Sequence, residues 1–459
     1  MRIFSASEAA KTTGAELLGD PGTAFSGVSY DSRSVLEGSL FVAVKGEKAD
    51  GADYIEASFA RGASVALTSR RVEPPPGRAL LLAESPEEAV RLLAISARRD
   101  FKGTVIGVVG SAGKTTTKEF SAKFLSTLGR TFATSGNRNN LLGLPEMILG
   151  ADETASYWVL EMGISKPGEM ESLAPIASPN VVLFTSIRPV HTEFFPSLES
   201  IRDEKAKVLC HLSRPSFFVY NADDALLCEL PALFGTTSYS FGRSEKADLR
   251  ILSIEDKGEN GFSLELLYRG ESVTVPIPFL NMVQCHNFSA ALMLTLALGG
   301  DLSSALEVAP LLSPAAHRGV PHCLKQGILL YDDSYNSNPE ALVSLIKSAS
   351  GWKRRLVGVF GEMKELGAES EKYHREAGAL ASEVFSSLLC VGADGARTLA
   401  LEFSGSDRQV FWAGSWEDGY RWLRGQVDPG DAVIVKGSRS IGLDKLVDRF
   451  LEDYKEGAS

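Results

Sequence analysis

The run Val105-Ile-Gly-Val-Val-Gly-Ser-Ala-Gly-Lys-Thr-Thr-Thr117 constrains this chain more than any other stretch. An apolar segment stops at a glycine-rich turn and restarts behind a lysine, with Phe120, Phe124, Leu125 and Leu128 spaced as one face of a helix. That order predicts strand, phosphate loop, helix. Gly110 and Gly113 let backbone N–H groups converge on phosphate oxygens, and the helix N-terminus points its dipole at the same place. Gly110, Ser111, Ala112, Gly113, Lys114, Thr115 and Thr116 are therefore the expected nucleotide contacts. Lys114 would offset β/γ-phosphate charge and Thr115 would hold Mg²⁺. Position 108 is valine where the strict loop has glycine, so the shorter pattern Gly-x-x-Gly-Lys-Thr is the one met.

A chain of 459 residues exceeds what one hydrophobic core supports, and about 150 residues per domain suggests three domains. With 44% apolar and 23% charged residues nothing argues for disorder. A net charge of −11 speaks against a sequence-independent grip on nucleic acid or an anionic membrane, so anionic ligands need local positive sites. The five cysteines are widely spaced and form no Cys-x-x-Cys pair, which suggests neither a disulfide framework nor a zinc site. No signal-type segment follows Met1, and the longest apolar run, about residues 290–298, is too short to span a bilayer. A cytoplasmic protein acting as a monomer is expected.

Taken in order, residues 39–44 and 64–68 read as strands with a helix over 54–60 between them, ending at the stiff turn Pro74-Pro-Pro-Gly77. Asp31-Ser-Arg33 and Asp50-Gly-Ala-Asp-Tyr54 sit beside turns, either as surface turns or as anion and sugar contacts. A capping box, Ser85-Pro-Glu-Glu88, opens a helix with Ala89, Leu92, Leu93 and Ser96 on one side. Strand-like runs at 131–134, 157–160, 180–185 and 216–220 are separated by helical crossovers, which predicts a doubly wound, mostly parallel sheet. Ligands of such sheets lie at strand carboxyl ends. The polar residues there are Asn137, Asn139 and Asn140, then Glu161, then His191 and Glu193, then Asn221 and Asp223. Glu161 reads either as a metal ligand or as a helix-capping carboxylate, and His191 either as a ligand or as a structural histidine. Alternation around Arg269-Gly270-Glu271 predicts an inserted β-hairpin. Cys285-His-Asn287 opens an apolar helix, Pro310 and Pro314 mark a linker, and a third α/β unit has strands at 327–331, 356–360, 387–391, 410–413 and 432–435.

Gly110-Ser-Ala-Gly-Lys-Thr-Thr116, Thr134-Ser-Gly-Asn-Arg-Asn-Asn140, Glu161-Met-Gly163, His191-Thr-Glu193, His286-Asn287, Asp332-Asp-Ser-Tyr-Asn-Ser-Asn-Pro339 and Lys436-Gly-Ser-Arg439 occur in the order of the Mur ligases, which the chain resembles over nearly its whole length. The resemblance implies three α/β domains: 1–84 for the UDP substrate, 85–313 for ATP, and 314–459, a Rossmann-like domain, closing over ATP. The Asp332–Pro339 block and Gly361-Glu-Met-Lys-Glu-Leu-Gly367 with His374-Arg375 resemble the branch that joins D-Ala-D-Ala to UDP-MurNAc-tripeptide in peptidoglycan precursor synthesis. The implied roles are Lys114 on the phosphates, Thr115 and Glu161 on one Mg²⁺, and His191 with a carbamylated Lys205 on a second. Arg318 would meet the γ-phosphate, Asn287 and Asp333 the nucleotide, and Asn336 and Asn338 the acceptor side. Ser32 and Arg33 would hold the UDP end, Asn137 and Asn140 the substrate, and Lys436 and Arg439 substrate carboxylates, the alternative for these two being a solvated strand end. A related ligase adding a single amino acid would share the ATP site but lack the Asp332–Pro339 block, and a non-enzymatic ATP switch would need no third domain. The pattern departs at Ala290, where His-Asn-x-x-Asn ends in Asn, at Ser186-Ile-Arg188 in place of Asn-Ile-Gly, and at Ala52 in place of a histidine.

Overall fold

The structure is a computed structural model that describes residues 1–46, 49–136, 138–191, 193–403 and 408–455. The phosphate-loop strand, Thr104–Val109, lies deep inside a nine-stranded sheet. From one edge the order is Thr131–Ala133, Tyr157–Glu161, Thr104–Val109, Val181–Phe184, Phe217–Asn221, Ser238–Gly242, Leu249–Asp256, Phe262–Tyr268 and Glu271–Ile277. All pairings are parallel as far as Leu249–Asp256, and the last two strands are added antiparallel. The expected hairpin is thus an extension of the central sheet rather than a separate insertion.

Strand Thr104–Val109 is apolar on both faces because both are covered. Val105 and Val109 enter a core with Leu93, Ala94, Ile148 and Leu173, on helices Pro86–Asp100, Gly143–Leu149 and Glu169–Ala177. Ile106 and Val108, pointing the other way at the period of two, enter a core with Phe120, Phe124 and Phe288 on helices Lys114–Leu125 and Val283–Ala297. The doubly wound arrangement is what the alternating pattern predicted. From Val109 the chain goes to one side of the sheet, through Thr131–Ala133 and Tyr157–Glu161, then crosses to Val181–Phe184 on the other side, so the phosphate loop occupies a topological switch point.

A five-stranded N-terminal sheet, ordered Glu16–Gly19, Ala79–Leu82, Val65–Thr68, Leu40–Val42 and Val28–Ser29, packs onto the central unit through helix Pro86–Asp100. That helix buries Val90, Ala94 and Ala97 as well as Ala89 and Leu93, a wider face than expected, because it is covered from both sides. Ser85 caps it by accepting from the Glu88 N–H at 3.1 Å, but the Glu88 carboxylate pairs with Arg91 instead of returning to Ser85, so the box is half formed.

The C-terminal sheet has the order Val320–Cys323, Leu329–Asp333, Ala432–Lys436, Leu356–Gly361, Ser387–Val391 and Gln409–Ala413, the first strand antiparallel and the others parallel. Several strands were not read from the sequence, among them Glu16–Gly19, Val28–Ser29 and Ala79–Leu82 in the N-terminal sheet, Ser238–Gly242 in the central one and Val320–Cys323 here. Ser238–Gly242 has few apolar residues, and Val320–Cys323 contains Pro321, which is tolerated because that strand is an edge.

Candidate active site

The phosphate loop is held open by its neighbours. Gly113 has φ +79° and packs against Asn287 Oδ1, while Gly110 packs against Thr185 Oγ1, so a Cβ would clash at either position. The loop after Val181–Phe184 braces it from outside. Thr185 Oγ1 donates to Ala112 O at 2.6 Å, Ser111 N–H donates to Ser186 O at 2.8 Å, and Arg188 N–H donates to Ser111 Oγ at 3.0 Å. Two of the three residues at the Ser186-Ile-Arg188 departure therefore support the loop. Lys114 Nζ donates to Gly110 O at 2.9 Å, and burial lowers its pKa, opposed by the Glu161 charge and reinforced by Arg318.

Glu161, at the end of the adjacent strand and 3% exposed, accepts from Asn139 Nδ2 at 2.8 Å through Oε1. Its Oε2 is buried with no hydrogen-bond partner. This carboxylate caps no helix; it presents an unsatisfied oxygen beside Thr115 in the same cavity. His191 adopts φ +53°, a strained conformation for a bulky residue, and its Nδ1 lies 3.3 Å from Glu365 Oε2 of the C-terminal unit. Burial lowers the His191 pKa, opposed by Glu365 and assisted by Lys205 and Lys114. Lys205, 2% exposed on helix Leu198–Ala206, is not the solvated helix face that its sequence context suggests. Burial holds its amine well below the ordinary lysine pKa, and the Lys114 charge adds to this against Glu204. Among the described residues no set of three or more His, Cys, Asp and Glu is grouped to chelate a metal.

The C-terminal unit supplies the opposite wall of a cavity of about 270 Å³. Ser111 to Thr116, Asn139, Glu161, Gln284 and Asn287 line one side, and Arg318, Asp333, Tyr335 to Asn338 and Lys436 line the other. Arg318, expected to need domain closure, already faces the loop. Its guanidinium lies 3.9 Å from the Tyr335 ring centroid. His317, just before it, is fixed through Nδ1 to Asp332 Oδ2 at 2.8 Å. Asp333 and Lys436 are register partners on adjacent strands, and Lys436 Nζ donates to Asp333 Oδ2 at 2.6 Å and to Asn336 O at 3.0 Å. Burial raises the Asp333 pKa while Lys436 and Arg318 pull it back. Lys436 is 3% exposed, hence not a solvated strand end, but its charge is engaged within the protein rather than free for a substrate carboxylate.

Other expected contacts lie elsewhere. Asn140 Oδ1 accepts from Leu142 N–H and Gly143 N–H, closing the turn that leads into the next helix, and Asn139 is the one that lines the cavity. Asn137 falls outside the described residues. Arg439 pairs with Asp444 at 2.6 Å, and its guanidinium lies 5.2 Å from the Tyr335 ring centroid. Asn338 Oδ1 accepts from Ala341 N–H, capping helix Pro339–Ala349 while lining the cavity. Ser32 and Arg33 are in the N-terminal unit, where Arg33 pairs with Asp31 at 2.8 Å and Ser32 O accepts from Arg61. A second space of about 240 Å³ continues past Ala112 to Asn221, Asp223 and His286. Ala290 is packed in the core beside this helix face, and Ala52 in the N-terminal core. Asn139 was expected only from its place after a strand, and Gln284, Tyr335 and Ser337 were not singled out as contacts, although Tyr335 and Ser337 lie inside the Asp332–Pro339 block.

Fold and cavity together define a phosphate-loop, nucleotide-dependent enzyme whose site is completed by a second α/β unit. Family models match in three consecutive segments: Mur ligase family, catalytic domain, at 24–98; Mur ligase middle domain at 108–295; and Mur ligase, glutamate ligase domain, at 317–439. The UDP-N-acetylmuramoyl-tripeptide--D-alanyl-D-alanine ligase of Bacillus subtilis is 30% identical over 94% of this chain and 94% of its own. The Rickettsia prowazekii protein of the same name is 28% identical over 92% and 94%. A crystal structure of MurF from Acinetobacter baumannii superposes with TM-score 0.87 at 25% identity, covering 98% of this chain and 99% of that one. MurF from Thermotoga maritima, solved with ADP, gives 0.79 at 29% identity over 93% and 97%. The chain belongs to the Mur ligase family, and within it resembles the MurF enzymes over more than nine-tenths of its length.

Proposed function

We propose that this chain is the ATP-dependent ligase that joins D-Ala-D-Ala to UDP-MurNAc-tripeptide in peptidoglycan precursor synthesis. The observation that carries the reading is the shared cavity, in which a braced phosphate loop faces Arg318, Asn336 and Asn338. A carboxylate is too poor an electrophile to form an amide in water, so ATP first phosphorylates the tripeptide's terminal carboxylate. The dipeptide amine attacks the acyl phosphate, and phosphate leaves from the tetrahedral intermediate. Lys114 and Arg318 face the cavity from opposite sides and offset charge on the moving phosphoryl group, the contribution that usually dominates such transfers. Asp333 contacts the nucleotide. Its pairing keeps Lys436 inside the wall, and Asn336 and Asn338 meet the incoming dipeptide.

The residues present fit a divalent cation. Glu161 Oε2 is a buried anionic oxygen without a partner and Thr115 lies in the same cavity, an oxygen set suited to Mg²⁺ that also binds phosphate. His191 and a carbamylated Lys205 would hold a second ion. Burial lowers the pKa of Lys205, which favours the unprotonated amine that reacts with CO₂. Bound Mg²⁺ supplies charge neutralisation of the phosphates. Ser32 and Arg33 are assigned to the UDP end. The test is to incubate the protein with ATP, Mg²⁺ and UDP-MurNAc-tripeptide, offering D-Ala-D-Ala or single amino acids, and to weigh the product. The dipeptide adduct is expected; a single-residue adduct, or none, would overturn the reading.

A further inference from the structure

Arg318 and the phosphate loop belong to different units, yet a chain of two carboxamides connects them. Gln284, 7% exposed in the first turn of helix Val283–Ala297, donates through Nε2 to the main-chain oxygen of Arg318 at 3.3 Å and accepts through Oε1 from Asn287 Nδ2 at 3.1 Å. A carbonyl oxygen can only accept, so the contact with Arg318 fixes the orientation of the Gln284 amide. That in turn fixes Asn287, whose Oδ1 is left turned toward Gly113 of the loop. The next residue, Gly319, has φ +86° and packs against the Tyr331 hydroxyl, so the backbone at this join has one narrow path. No carboxylate among the described residues pairs with the Arg318 guanidinium, which is held through its backbone and by stacking on Tyr335.

The geometry points to Gln284 as the positioning residue for Arg318: it locks the backbone of the join to the phosphate-loop wall, so that the guanidinium meets the terminal phosphate only when both walls are in register. This rests on Arg318 being the γ-phosphate contact. It also gives the helix a second carboxamide, one turn before Asn287, in a chain where position 290, one turn after it, is alanine.

The test uses Gln284→Met, which keeps length and volume without hydrogen bonds, and Gln284→Glu, which keeps the acceptor for Asn287 but removes the donor to Arg318. Both should lower kcat/KM for ATP by about tenfold, as expected when a contact to the terminal phosphate is misplaced. In an Arg318→Ala background Gln284→Met should add no further loss, because two residues acting as a unit are not additive. An acceptor-independent readout is the ratio of affinities for a non-hydrolysable triphosphate analogue and for ADP. It should fall in Gln284→Met as far as in Arg318→Ala, whereas a merely structural defect would shift both affinities together. Wild-type kcat/KM for ATP in both folded variants, a fully additive double mutant, or an unchanged affinity ratio would overturn the inference. A wild-type protein that makes no dipeptide product fails the ligase reading instead, and the affinity ratio still decides the role of Gln284.

Discussion

On the central side the nucleotide cavity is walled by the phosphate-loop backbone, with glycines at positions 110 and 113 and carbonyl and N–H groups braced by Thr185, Ser186 and Arg188, flanked by the side chains of Asn139, Glu161, Gln284 and Asn287. On the C-terminal side it is walled by side chains that hold one another, Lys436 on Asp333, Arg318 on Tyr335, and Asn338 on its own helix. In the first wall Lys114 has, among the described residues, loop carbonyls as its hydrogen-bond partners. The second wall stabilises the C-terminal unit as well as shaping the cavity. A charged residue on one wall is therefore expected to be dispensable to the fold, and on the other it is not.

Lys114→Ala is the sharpest way to break that contrast. Turnover should fall by about a hundredfold or more while stability is unchanged, because the lost interaction strengthens only as phosphate charge moves. Phosphate-release kinetics alongside urea unfolding will check both halves, and a folded variant with normal turnover would remove Lys114 from its role. Lys436→Ala should do the reverse in kind. It leaves Asp333, only 14% exposed, without its partner, and removing one member of such a mostly buried pair costs about 3 kcal/mol of stability. The double replacement Lys436→Met with Asp333→Asn should recover much of that loss in the same unfolding measurement. Equal midpoints for the single and double variants would mean that the pair is not what holds this wall.

Lys205→Ala tests whether the metal-side residues behave like the first wall. An apparent Mg²⁺ affinity lower by about 10-fold is expected, with partial rescue of activity by a short carboxylic acid filling the vacated space. Intact-mass analysis finding an unmodified lysine in fully active, Mg²⁺-loaded enzyme would exclude carbamylation. The smallest effect belongs to Arg188, which reaches across to Glu340 at 3.0 Å. This pair is partly exposed, and Arg188→Gly should change KM for ATP by less than about threefold, with the difference vanishing at high salt. A large, salt-independent change would show that Arg188 acts through the buried Asp224, which its Nη1 meets at 3.2 Å, rather than through Glu340.

Much of the first wall was legible because its signals are local. The apolar run, two glycines, a lysine and a helical stripe lie within 24 residues, and the physics of phosphate binding needs that order. Glu161 and His191 could be placed at strand ends by the rule for doubly wound sheets, although only the fold distinguishes a carboxylate with an orphaned oxygen from a helix cap. The second wall was much less readable. Asp333 and Lys436 are separated by more than a hundred residues and meet because their strands are neighbours in register. Asn140 and Asn139 are adjacent in the chain, and which of them faces the cavity depends on the turn that Asn140 caps.

The sequence by itself determined the phosphate loop, the parallel sheet behind it and the helix that follows, since periodicity and turn chemistry act between near neighbours. It also carried the family resemblance, because those motifs keep their order along the chain. Tertiary structure alone decided that Lys205 is buried, that Lys436 is committed to Asp333, and that Gln284 ties the Arg318 backbone to the loop. Burial, ion pairing and hydrogen bonding of this kind depend on which distant segments come to share one space, and no local pattern records that.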